Sequence, residues 1–115
     1  AHWGKAERKF AMPELVRRLT TDTAEAAGLL DRGRIAVGLK GDLNVIDWET
    51  LDFEAPYVIQ DLPAGGKRLM QGASGYEYTI VSGEVTHEGG KPTGVLPGKL
   101  IRGQQPAPAM AIAAE

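Results

Sequence analysis

The sequence predicts an α+β chain, with short N-terminal helices followed by a small β-sheet. Two observations carry this. Glycine is absent from residues 5–27, then recurs every few positions from Gly28 to Gly103, the punctuation of turns between short strands. Before Gly28 the apolar residues recur at helical spacing; after it, short β-branched and aromatic runs sit between turn residues. The length of 115 residues fits one domain.

The first helix is expected around Met12, Leu15, Val16 and Leu19, which follow i, i+3, i+4, i+7. Pro13 suits a first helical position, where its missing N–H costs nothing. Glu14 near the start and Arg17 and Arg18 near the end complement the helix dipole. A second short helix is expected to follow, since Asp22 and Glu25 have capping-box spacing. Ala24, Ala26 and Ala27 favour helix, and Gly28 is a natural stop. The small alanines allow this helix a close neighbour.

Four strands are expected next. Leu43 to Trp48 is apolar and β-branched, and follows Gly41-Asp42. Arg68 to Gln71 follows a Pro63-Ala64-Gly65-Gly66 turn. Tyr76 to Val81 and Val85 to Glu88 flank Ser82-Gly83-Glu84, a tight hairpin. Leu100 to Arg102 reads as a further edge. Between Asp47 and Leu62 the mixed, acidic stretch with Pro56 inside reads as a long connection with one helical turn. The Ala/Pro-rich residues 104–115 read as a flexible tail.

Composition excludes several functions. The net charge is −2, from 13 basic and 15 acidic side chains, a poor basis for gripping phosphates, so no nucleic-acid partner is expected. No apolar run approaches the roughly 20 residues that cross a bilayer, so no membrane partner is expected. No cationic start precedes an apolar stretch, and cysteine is absent. A cytoplasmic location is therefore expected. The lack of cysteine also removes disulfides, thiolate metal sites and a cysteine nucleophile.

The residue types that carry catalysis are sparse. His2 and His87 stand far apart and form no metal-binding spacing. Ala64-Gly65-Gly66-Lys67-Arg68 fails as a phosphate loop, because Asp61 stands where a glycine is needed and Arg68 where Ser or Thr is needed. The carboxylates from Asp42 to Asp61 match no calcium loop. Ser74 and Ser82 lie in no nucleophile motif. The residues alone thus indicate no catalytic, cofactor-binding or metal site. Asp42, between Gly41 and a strand, is placed to fix a turn through backbone N–H groups. Gly33, Gly38 and Gly83 join it as candidate turn residues.

One stretch is more specific. Leu29-Leu30-Asp31-Arg32-Gly33-Arg34-Ile35-Ala36-Val37-Gly38 ends a Leu-rich helix and gives Gly-x-Ile-x-x-Gly; Gly41-Asp42-Leu43 and a β-branched strand follow. This resembles the C-terminal signature of the amidohydrolase superfamily, with Gly41 in place of the commoner Ala. Val81-Ser82-Gly83-Glu84-Val85, with Gly94, Pro97-Gly98 and Arg102, resembles the closing hairpin and tail of that family. Leu62-Pro63-Ala64-Gly65-Gly66 and His2-Trp3-Gly4-Lys5 resemble the N-acyl-D-amino-acid deacylase branch, the D-aminoacylases. The resemblance spans about residues 2–103.

The resemblance implies a longer, metal-dependent hydrolase of non-peptide C–N amide bonds. It implies a (β/α)8 barrel carrying zinc and a β-sandwich assembled from both chain ends. Residues 1–30 would be the last barrel helices, and 31–103 the C-terminal portion of the composite β-sandwich. The zinc ligands and catalytic Asp of the family match nothing here, so this piece would be scaffold, with His2 and Trp3 near the active-site rim. The expected partner is the remainder of the hydrolase, or a second copy in a homodimer, because half a sandwich leaves its inner face open. Leu43, Val45, Leu69, Ile80, Val81 and Val85 are the candidates for that face. The alternative is a free-standing β-rich binding or assembly module without enzymatic activity.

Overall fold

The computed structural model describes residues 10–109. Two helices, α1 (Met12–Leu19) and α2 (Thr21–Ala26), precede eight short strands. These are β1 (Leu43–Ile46), β2 (Asp52–Phe53), β3 (Tyr57–Leu62), β4 (Gly66–Met70), β5 (Ala73–Ser74), β6 (Tyr76–Val81), β7 (Glu84–Glu88) and β8 (Lys91–Pro92). The chain is an α+β protein with antiparallel sheets.

Helix α1 begins at its Pro-containing first turn, and Arg18 donates to Glu14 at 2.8 Å, one turn back. The Arg18 guanidinium also lies over the Phe10 ring. Asp22 does not cap α2. That helix starts earlier, at Thr21, because the Thr20 N–H still bonds the Val16 carbonyl and the chain has little room to unwind. Asp22 instead sits in the first turn, near Arg17. The other end is locally determined. Gly28 at φ +71° donates to the Glu25 carbonyl, and Leu29 donates to the Ala24 carbonyl. This pair of bonds is a Schellman stop.

Strand β1 ends before Trp48. Asp47 draws the chain into a turn by accepting from the Glu49 N–H at 3.0 Å and the Thr50 hydroxyl at 2.8 Å. The stretch expected to be a connection instead contains β2 and β3. Strand β3 pairs with β4 across Pro63–Gly65, where Ala64 and Gly65 take positive φ. The β-forming Tyr57-Val58-Ile59 outweighs the acidic neighbours, and Asp61 is neutralised by a two-pronged ion pair with Arg68. Leu100–Arg102 forms no strand. The following chain is tied instead at Gln105, which bridges Leu29 in parallel.

The principal sheet has the order β1-β6-β7-β8. Its β6–β7 hairpin turns on Ser82 and Gly83, both at positive φ, as a two-residue primed turn requires. Cross-strand partners Leu43–Ile80, Ile80–Val85 and Val45–Tyr78 put five apolar residues on one face. Asn44, Thr79 and His87 occupy the other. The apolar face is not closed over, since Val45 is 46% exposed, Tyr78 38% and Val85 37%. On the β3–β4 ribbon, Val58 and Leu69 are more exposed still.

Among the described residues only Ala24 and Leu51 are buried apolar residues, and neither is completely so. The radius of gyration is 17.1 Å, against about 13 Å for a closed domain near this length. The accessible surface is 9180 Å², where a compact monomer of 12.3 kDa exposes about 6,100 Å². These elements are well paired within sheets but poorly packed between them.

Candidate functional site at the helix–sheet junction

The best-tied polar cluster lies where the chain leaves the helices for the sheet. Gly33, at φ +92°, lets the chain pass directly over α2. A Cβ there would stand 2.7 Å from that of Ala24, and the Gly33 carbonyl accepts from the Thr21 hydroxyl at 2.7 Å. Beside it, Arg32 grips Asp31 with two bonds of 2.9 and 3.0 Å, and Asp42 with a third of 3.1 Å. All three side chains are largely shielded.

Asp42 faces two ways. One oxygen takes the Arg32 bond; the other accepts the Ser82 backbone N–H at 2.8 Å. The next carbonyl back, on Gly41, accepts the Gly83 N–H at 2.9 Å. The hairpin therefore docks its tip onto Gly41-Asp42 through two backbone donors. An added Cβ on Gly41 would lie 3.2 Å from the Gly83 nitrogen, so glycine here lets the two segments approach more closely than alanine would.

The electrostatics follow from these bonds. Hydrogen bonding from Arg32 holds the Asp31 carboxyl below its ordinary value, and the same bond raises the Arg32 guanidinium. Lys40 donates to the Ser82 hydroxyl at 3.3 Å. This arrangement does not make a nucleophile: the ammonium is acting as donor, and the Ser82 N–H is committed to Asp42 rather than free to stabilise an oxyanion. An open groove of about 870 Å³ runs beside the cluster, lined by Arg32, Lys40, Ser82, Glu84, Pro97, Lys99, Leu100, Ile101, Arg102 and Gln105.

The turn residues singled out from sequence fall in different places. Asp42 and Gly83 meet at the docked hairpin tip. Gly33 packs on α2, and Gly38, at φ +86°, approaches Pro108. His2 and Trp3 lie outside the described residues. Sequence reasoning missed Arg32, the centre of the cluster, because its partner Asp42 is ten positions away and no local motif announces the contact.

His87 lies exposed on β7, its Nδ1 3.3 Å from the Thr86 hydroxyl. Among the described residues no three His, Cys, Asp or Glu side chains gather closely enough to hold a metal ion. The zinc implied by the resemblance finds no fitting donor set among the described residues. No helix among them is long and apolar enough to cross a membrane.

The described residues thus bring together a junction clamp, a docked hairpin and an open sheet. The model of the amidohydrolase family matches residues 1–87, and the chain belongs to that family. Neither the curated proteins nor the solved structures yield a match.

Proposed function

We propose that this chain is the C-terminal segment of a metal-dependent amidohydrolase of the N-acyl-D-amino-acid deacylase type, and that its role there is scaffolding. The family match over residues 1–87 supports the amidohydrolase part of this reading. In such an enzyme a bound metal would supply the Lewis-acid chemistry for amide hydrolysis; the zinc, its ligands and the catalytic Asp would belong to the remainder of the protein. The D-aminoacylase assignment rests on Leu62-Pro63-Ala64-Gly65-Gly66 and His2-Trp3-Gly4-Lys5.

The scaffold role draws on two positive features. The Arg32–Asp42–Ser82 connection fixes the helical part against the sheet. The face bearing Leu43, Val45, Tyr78, Ile80 and Val85 is apolar and half open, the form expected of one layer of a sandwich awaiting the other. Under this reading residues 1–30 are the last barrel helices and 31–103 a portion of a composite sandwich. The partner is the rest of the hydrolase, or a second copy when the segment is alone, in the cytoplasm.

Reading the genomic sequence upstream of the Ala1 codon tests this. An open frame encoding H-x-H and a downstream catalytic Asp is expected. A stop codon followed by a local start would overturn the reading in favour of a free-standing β-rich module.

A further inference from the structure

The groove beside the junction has a second wall built from residues beyond the family match. Between Gly89 and Ala114 the chain carries Lys91, Lys99 and Arg102 and no carboxylate side chain. This basic segment returns to the helical part. The Gln105 N–H donates to the Gly28 carbonyl, and the Gln105 carbonyl accepts from Leu30, both at 2.9 Å. The return places Lys99 and Arg102 on the groove that Lys40 and Ser82 line from the other side.

Charge in the groove is unbalanced. Arg32 is neutralised by Asp31 and Asp42. Lys99 and Arg102 form no ion pair among the described residues, Lys40 lies close enough to Asp31 to help lower its carboxyl, and Glu84 is the single acid among the described lining residues. A chain of net charge −2 thus concentrates positive charge in one concave place, where the field is focused. The same wall is partly apolar: Leu100 is 79% exposed and lines the groove with Ile101 and Pro97.

We propose that this groove binds a small amphipathic carboxylate. Lys40, Lys99 and Arg102 would receive the head, Arg102 through its planar fork. Leu100 and Ile101 would cover the aliphatic body. A bare inorganic anion leaves Leu100 wet, and an aliphatic cation meets repulsion from Lys99 and Arg102. The proposal does not rest on the hydrolase assignment.

The test titrates the ¹⁵N-labelled 115-residue chain with sodium octanoate, with octylammonium and inorganic phosphate in parallel. Octanoate is expected to give saturable amide shifts at Lys40, Ser82 and Lys99 to Arg102. Affinity should fall tenfold or more in Lys99→Ala/Arg102→Ala, and in Leu100→Ser for octanoate but not for acetate. The proposal is overturned if octylammonium or phosphate binds as tightly as octanoate. It is overturned equally if the shifts centre on Val45, Tyr78 and Val85, or if the double variant binds undiminished.

Discussion

Asp42 accepts the backbone N–H of Ser82 at 2.8 Å across forty positions of sequence, while its other oxygen holds Arg32. One carboxylate therefore joins the helix exit, the start of β1 and the tip of the β6–β7 hairpin. Asp42→Ala is expected to destabilise the chain by about 2 kcal/mol, the scale of charge-assisted hydrogen bonds lost from a shielded site. Asp42→Asn should lose less, because the amide oxygen still accepts from Ser82. Urea unfolding of the three proteins checks the order.

Two glycines with the same backbone sign should respond differently to alanine. Gly33→Ala meets both a φ of +92° and a Cβ contact of 2.7 Å with Ala24, whereas Gly83 at φ +84° has open space around it. The left-handed conformation alone costs about 1 kcal/mol for alanine. Gly33→Ala should exceed that by 1 kcal/mol or more, since the clash adds to the strain. The melting temperatures of the pair distinguish the two contributions.

Acid should loosen the junction through Asp31. Its carboxyl is held below the ordinary aspartate range by the Arg32 hydrogen bond. The folded form thus binds its proton less readily than the unfolded form. The stabilisation is present above the unfolded value and is lost as pH falls through the lower, folded one. Asp31→Asn should flatten the stability curve below about pH 4 and leave its shape at neutral pH unchanged, which a series of denaturant midpoints measures.

The open sheet should draw copies together when the segment is alone. Light scattering during size exclusion is expected to give a mass above 12.3 kDa. Val45→Glu with Val85→Lys should return it to that mass, because charges on a face meant for burial block association. A clean monomer for the unaltered chain would contradict this.

The parts legible in the sequence are those decided locally. Pro13, Glu14 and Arg18 specify α1 within one or two turns, Gly28 stops α2 through its own backbone, and Ser82-Gly83 admits the primed turn that few other pairs do. Strand β3 is hidden because Asp52, Glu54 and Pro56 precede it closely and Asp61 interrupts its apolar run, and a two-stranded ribbon exposed on both faces shows no clean alternation. Leu100-Ile101 reads as an edge strand because the pair is apolar, but among the described residues it pairs with no strand. Arg32 was invisible for a different reason: an ion pair between segments leaves no trace in the spacing of either.

Hydrolysis of N-acyl-D-amino acids in the presence of zinc tests the central reading most directly, with the complete polypeptide from the upstream frame and the 115-residue chain assayed side by side. Release of the free amino acid by the complete polypeptide, and none by the chain alone, is expected. Turnover by the isolated chain, or an inert complete polypeptide, would contradict it.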